Sequence, residues 1–163
     1  MSCLKNNWLS IISLTIAIIA LLFCCKNCFL GNEEKIVGVW LIDAVGAPFQ
    51  PHIATFHSDK TMEIHNPEAG DPHTSDSMGM GLWKALRSEK KQTIEGKFIE
   101  LNADRNTNKY VNKLVVTYKI TINANSFSGP AQATYYNPDE SIHSGQFSVT
   151  LNGKKLLIEN SNE

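Results

Sequence analysis

Residues 110–123 alternate between apolar and polar side chains with a period of two, and this pattern constrains the fold most strongly. The even positions from Leu114 to Ile122 are apolar and would share one face, while Thr117 and Lys119 lie on the other. Such alternation is typical of an antiparallel sheet with one buried face and one face in water. Helical periodicity is nearly absent after residue 35, so we expect an all-β protein.

The same pattern, broken by turn-forming Asn, Asp, Gly and Pro, continues through the rest of the chain. It predicts strands at 36–44, 51–58, 61–66, 79–87, 92–101, 110–123, 126–136, 143–151 and 154–159. Because the connections are short, an up-and-down meander is favoured. About eight or nine such strands can close into a single antiparallel β-barrel with room for one small ligand.

The first predicted hairpin also allows a register to be chosen. A three-residue turn at Asp59–Thr61 would pair Phe56 with Ile64 and would collect the apolar side chains on one face. A two-residue turn would instead pair Phe56 with Glu63 and mix the two faces. Since a slip of one residue reverses every side chain, we expect the first register, with even-numbered residues facing inward.

The N-terminal segment has a different character. Trp8 to Cys25 carries no charge over 18 residues, which is the lower end of the length that spans a bilayer as a helix. Lys5 precedes it as in a signal peptide, although a cleavage site is hard to place. We expect residues 1–31 to be an uncleaved hydrophobic anchor helix or a cleaved signal peptide. Residues 32–163 would then form one domain on the extracytoplasmic side.

Cysteine and charge content exclude two classes of protein. All four cysteines precede residue 29, as Cys3, Cys24, Cys25 and Cys28, so a disulfide-stapled domain is excluded. The last three would be membrane-proximal thiols that could be acylated. Beyond residue 31 the chain has 13 basic residues (15 less Lys5 and Lys26) against 16 acidic ones, so we expect no nucleic-acid partner.

Gly38-Val39-Trp40 on the first predicted strand resembles the Gly-x-Trp signature of the lipocalin-like, or calycin, superfamily. The stretches "ATFHSDKTM", "GMGLWK" and "SFSGPAQATYYNPDESIHSGQFSV" are similar to bacterial lipocalin-like proteins of unassigned function, and the resemblance covers most of 35–158. It implies an up-and-down barrel whose base Trp40 closes. The best-known members place a basic residue over this tryptophan, and here the last strand offers Lys154 or Lys155.

Inward-facing aromatic residues predict either a ligand cavity or a filled core. We expect the ligand-binding residues to be His52, Phe56, Trp83, Phe98, Tyr118 and Tyr135. Gly79 and Gly81 would make room for a neighbouring side chain or a ligand. The longest connection, residues 66–78, would be a lid over the open mouth or a disordered excursion.

Candidate chemical groups are few. His57, Glu63 and His65 could meet on the outer surface, but the histidines do not converge simply, so we expect no metal and no cofactor. Glu100 is an even-numbered residue on the same strand face as Ile94 and Phe98, which are expected to point inward, so it could be a buried acid or base. We expect instead that the face reverses at the strand end, so that Ile99 and Leu101 turn inward and Glu100 is in water.

The function expected from these patterns is non-catalytic binding of a small apolar ligand in the barrel. The alternative is an isomerase, cyclase or hydrolase that uses the barrel cavity as its active site, because fold alone does not decide function. A third hypothesis is a structural or interaction role with a fully packed barrel. The expected partners are a small hydrophobic ligand and, through residues 8–25, a membrane.

Overall fold

The structure is a computed structural model that describes residues 35–47, 51–66, 72–86 and 92–158. The predicted N-terminal helix and the cysteine cluster lie outside these residues. Within the described part, no helix has the length and apolar character needed to cross a membrane.

The described residues form nine strands and no helix. The strands are β1 (Gly38–Val45), β2 (His52–Phe56), β3 (Thr61–His65), β4 (Thr74–Asp76), β5 (Gly79–Leu86), β6 (Gln92–Asp104), β7 (Tyr110–Asn123), β8 (Ser126–Tyr136) and β9 (Ile142–Lys155). Eight of them, all except β4, pair antiparallel in chain order. Strand β9 pairs back onto β1 and closes the barrel. The predicted all-β antiparallel barrel is therefore confirmed.

The extra strand β4 lies within the segment that was expected to be a lid or a disordered excursion. Thr74–Asp76 pairs with the last residues of β6, Asn102–Asp104. Strand β5 pairs with the same edge of β6, nearer the middle of the strand. Ser77, between β4 and β5, also binds β6, because its backbone N–H donates to the carbonyl of Leu101 while its hydroxyl accepts the N–H of Leu101. This part of the connection therefore prolongs the barrel wall, and residues 67–71 lie outside the described ranges.

The predicted strands 143–151 and 154–159 imply a turn between them at Asn152 and Gly153, and this turn is wrong. Both residues lie inside β9, which continues to Lys155 and pairs with β1 and β8 along this stretch. A Cβ at position 153 would overlap the ring of Phe127. Glycine is present there because an aromatic ring packs on the backbone. The sequence alone cannot distinguish a glycine that makes room for a ring from a glycine that forms a turn.

The predicted β2–β3 register is displaced by two residues. Phe56 pairs with Met62 rather than with Ile64. The three-residue loop is 58–60, where Lys60 adopts a φ of 76° and Asp59 accepts the backbone N–H of Thr61 at 2.9 Å. A displacement of two residues preserves the faces, so the prediction that even-numbered residues point inward is confirmed.

Aromatic side chains fill one end of the barrel. Trp40 is fully buried, and its indole Nε1–H donates to the carbonyl of Ile36 at 2.7 Å. The ring of Phe127 lies 5.0 Å from the Trp40 ring, centre to centre. The ammonium of Lys155 lies 5.6 Å from the Trp40 ring and donates to the carbonyl of Lys35. These contacts bury Trp40 at this end of the barrel, and its role in closing the barrel stays a prediction.

Gly38 lies at the same end of the barrel, beside Lys155. Its φ of 129° is strained for any residue with a side chain, and a Cβ would lie 2.9 Å from Cε of Lys155. The backbone conformation at the first residue of β1 therefore favours glycine, and the absence of a Cβ leaves room for the side chain of Lys155.

Candidate functional site

The opposite end of the barrel encloses a cavity of about 400 Å³. Its wall is drawn from β1, β2, β3, β6, β7, β8 and β9 and is mostly apolar. The lining residues are Ile42, Ala44, Gly46, Ala47, His52, Ile64, Asn66, Phe98, Glu100, Leu114, Val116, Ala133, Tyr135, Phe147, Val149 and Leu151. An apolar cavity of a few hundred cubic ångströms with a few polar groups is the usual form of a small-molecule site.

The expected ligand-binding residues divide between the two ends of the barrel. His52, Phe98 and Tyr135 line the cavity. The other three, Phe56, Trp83 and Tyr118, belong to the packed end. There the ring of Phe56 meets those of Trp83 and Tyr118 edge to face, at centre distances of 6.3 and 6.4 Å. The sequence predicts either a cavity or a filled core. The barrel has both, and they occupy different halves of it.

Glu100 faces the cavity, so the expectation that it lies in water is wrong. Its exposed fraction is 2%, whereas Ile99 and Leu101 are 37% and 50% exposed. The face does not reverse, because β6 keeps its pairing with β7 through Glu100 and Leu114, and the side-chain alternation continues with it. Gly79 provides the space, since a Cβ there would lie 3.0 Å from Cγ of Glu100. This agrees with the expectation that Gly79 makes room for a neighbour.

Two hydrogen bonds join Glu100 to His52 through Asn66. The Asn66 amide donates from Nδ2 to Oε1 of Glu100 at 2.6 Å. Its Oδ1 accepts a hydrogen bond from Nδ1 of His52 at 2.5 Å. Because an amide oxygen can only accept, Nδ1 of His52 carries a proton. The three side chains form a polar cluster on the apolar wall. His52 and Glu100 are both buried, with exposed fractions of 7% and 2%.

Burial sets the protonation of this cluster. It raises the pKa of Glu100 to about 7, although the bond from Asn66 opposes the shift, and the charge of Asp76 adds to it. Burial also lowers the pKa of His52 and raises that of Tyr135. At neutral pH, Glu100 is therefore near its midpoint between acid and carboxylate, His52 is neutral and Tyr135 is a phenol.

No known protein family, curated protein or solved structure matches this chain. Closed antiparallel barrels occur in unrelated families, so the barrel alone does not place the chain in the lipocalin-like superfamily. What the site does has to be inferred from the chemistry of the cavity itself.

Asn66 was not among the candidate residues from the sequence. It follows His65 at the end of β3 and stands two residues after inward-facing Ile64. Parity alone would therefore have placed it inside the barrel, next to His52 at the start of the paired strand. It was passed over because it also opens the longest connection, where Asn is an ordinary turn residue.

The expected meeting of His57, Glu63 and His65 on the outer surface is present. Nε2 of His57 and of His65 lie 3.7 and 3.9 Å from the two carboxylate oxygens of Glu63. These are exposed ion pairs that require protonated histidine. Among the residues that the structure describes, no group of three His, Cys, Asp or Glu side chains is arranged to hold a metal ion.

The cavity can thus do two things chemically. Its apolar wall can exclude water from the body of a small molecule, and the polar cluster can bind one polar head by hydrogen bonds or charge. In addition, a carboxyl group with a pKa of about 7 can give or take a proton near neutral pH.

Proposed function

We propose that this protein binds a small, mainly apolar molecule in the barrel cavity, without catalysis. The observation that carries the proposal is the cavity of about 400 Å³, whose wall is apolar apart from one polar cluster. Each methylene that such a wall removes from water contributes about 0.8 kcal/mol, so a molecule with eight to ten carbons can reach micromolar affinity. The packed aromatic end makes a rigid floor for the cavity.

The experiment fills the cavity with a side chain. Ala133 lies on the cavity wall between Val116 on β7 and Phe147 on β9, so Ala133→Trp would occupy the ligand volume. The neighbouring Gln132 is exposed on the outer face, so Gln132→Trp adds the same ring outside the cavity and is the matched control. We expect saturable binding of the fluorescent apolar probe N-phenyl-1-naphthylamine to wild type and Gln132→Trp, and at least tenfold weaker binding to Ala133→Trp.

A second measurement looks for the natural ligand. Native mass spectrometry of protein purified from its own host is expected to show a co-purified small molecule that Ala133→Trp lacks. The proposal is contradicted if no probe or co-purified molecule binds, or if Ala133→Trp binds the probe as well as wild type does.

We also propose a lipocalin-like assignment and an extracytoplasmic location. The assignment is supported by Gly38 and Trp40 at the closed end and by the meander order of the strands. The location is supported by the uncharged segment Trp8 to Cys25. Host cells are first treated so that their outer layers are opened and the cytoplasmic membrane stays intact. Added protease should then digest the domain, while a cytoplasmic marker protein survives. Survival of the domain together with the marker would contradict this location.

An enzyme is the second candidate, and one observation favours it. Glu100 is a buried carboxyl with a pKa of about 7, connected through Asn66 to neutral His52 on the wall of the cavity. Such a pair of groups is suited to the proton transfers of an isomerase, cyclase or hydrolase. Incubating the co-purified molecule with wild type and with Glu100→Gln distinguishes the two functions. Conversion by wild type alone would favour catalysis, and an unchanged molecule would favour binding.

A further inference from the structure

The sign of charge in the cavity limits what its ligand can be, if the protein binds a small molecule as proposed above. The described residues that line the cavity include one carboxyl group, that of Glu100, and no lysine or arginine. The only other ionisable groups among them are His52 and Tyr135, and both are neutral near pH 7 for the reasons given above.

Among the residues that the structure describes, the charges that act on the cluster from outside the cavity wall are negative as well. Asp76 on β4 raises the pKa of both Glu100 and Tyr135 by its charge. Asp43 on β1 acts on His52 in the same sense. An anionic head group would therefore meet like charge at the polar cluster, in a region where burial weakens screening by water and salt.

The hydrogen bonds of the cluster point in the same direction. Asn66 uses an amide N–H on Glu100, and His52 uses its Nδ1–H on Asn66. What the cluster offers to a ligand is thus mainly acceptor capacity, in the carboxylate of Glu100 and the hydroxyl of Tyr135. A protonated amine carries donors and no acceptor, so it matches these groups, whereas a carboxylate carries acceptors only.

We propose that the cavity binds an amphipathic organic cation, a primary or secondary alkyl- or arylamine whose ammonium group pairs with the carboxylate of Glu100. The apolar body of the amine lies against Phe98, Phe147 and Val149, which face the same cavity. A buried carboxylate with a charged partner and hydrogen bonds is less costly than one alone, so the ligand supplies the cation that the described lining residues do not.

This pairing makes amine binding depend on pH in a defined direction. In the described part of the chain, the groups that act on Glu100 are Asn66, Tyr135 and Asp76, with neutral His52 joined to it through Asn66, and none of these is a cation near pH 7. Since the carboxyl of the empty cavity has a pKa of about 7, an ammonium group binding at lower pH must first displace a proton. Amine affinity is expected to fall by up to tenfold per pH unit below 7 and to level off above it.

The test compares three ligands of equal chain length, octylamine, 1-octanol and octanoate, by titration calorimetry at pH 8 and low salt. For wild type we expect octylamine to bind at least tenfold more tightly than octanol, and octanoate to bind more weakly than octanol. In Glu100→Gln the ratio of amine to alcohol affinity should fall to about one. The matched control is Glu95→Gln on the outer face of the same strand, which makes the same change in net charge and should keep the wild-type ratio.

The outcomes separate this inference from the function it depends on. If octanol or octanoate binds wild type as tightly as octylamine, or if Glu100→Gln keeps the preference for amine, the ligand is not a cation held by Glu100, although the cavity still binds apolar molecules. If none of the three binds and the fluorescent probe does not bind either, the binding function itself is overturned.

Discussion

Asn66 and Glu100, which are 34 residues apart in the chain, share a 2.6 Å hydrogen bond in which the amide donates to the carboxyl oxygen Oε1. The bond favours the ionised carboxylate, and burial favours the neutral acid. The pKa of about 7 shows that burial prevails. The barrel therefore holds a carboxyl group that changes charge near neutral pH.

Replacing Glu100 with Gln should make the protein more stable than wild type at high pH. The folded protein keeps a proton on Glu100 between pH 4.5 and about 7, whereas the unfolded chain has released it. The raised pKa of Glu100 therefore stabilises the folded protein by about 3 kcal/mol below pH 4.5. This stabilisation is lost as the pH rises to about 7. Urea unfolding of both proteins from pH 4.5 to 8 measures this as a growing difference.

His52 has to be separated from this effect, because its pKa moves in the opposite direction. Burial lowers the pKa of His52, so its contribution to stability increases as pH rises towards 6.5. That contribution is present in wild type and in Glu100→Gln, and it cancels to first order in the difference between them. A difference that stays constant from pH 4.5 to 8 would contradict the assignment of the pH effect to Glu100.

Replacing Asn66 with Leu should raise the pKa of Glu100 above its wild-type value of about 7. The substitution removes the donor that stabilises the carboxylate and leaves the burial in place. The measurement is a carbon-13 NMR titration of the Glu100 carboxyl in protein labelled at glutamate. Asn123→Leu, at the exposed last residue of β7, is the control and should not move the pKa. A lower pKa in Asn66→Leu would show that the bond favours the neutral acid.

The fold could be predicted from the sequence because side-chain alternation has a period of two and is visible in each strand. The inward faces of β3 and β7 follow from Ile64 and Ile120, whose neighbours along the chain are polar. Trp40 could be assigned to the closed end only through a resemblance, since an apolar strand gives no information about which end of a barrel it closes.

The site was harder to predict, because it depends on contacts between residues that are distant in the chain. The burial of Glu100 is set by Gly79 and Leu114 on the two adjacent strands, and its hydrogen bond comes from Asn66. The local sequence pattern predicts that a carboxyl group near the predicted end of a strand, such as that of Glu100, is exposed to water. The turn expected at Gly153 fails for a related reason, since its glycine serves a ring on another strand.

Gly96 in the middle of β6 should not tolerate a side chain. A Cβ at this position would overlap the phenol ring of Tyr118, which packs across the strand and is 5% exposed. Gly96→Ala is therefore expected to lower the free energy of unfolding by about 1–3 kcal/mol, as overpacking of a core does. Gly145→Ala is the matched control, because a Cβ there meets nothing within 4 Å. Equal effects of the two substitutions in urea unfolding would show that the Tyr118 contact is not responsible.

Trp40→Ala tests whether the aromatic end closes the barrel. The substitution removes a fully buried indole, its contact with Phe127 and the bond to the carbonyl of Ile36. We expect the free energy of unfolding to fall by about 3–5 kcal/mol, the range for deleting a large aromatic side chain from a core. Leu41→Ala on the same strand is the control, because Leu41 is 40% exposed and faces outward, and its loss should cost under about 1 kcal/mol. If Trp40→Ala lowers the free energy of unfolding by no more than Leu41→Ala does, the stability of the barrel does not depend on Trp40.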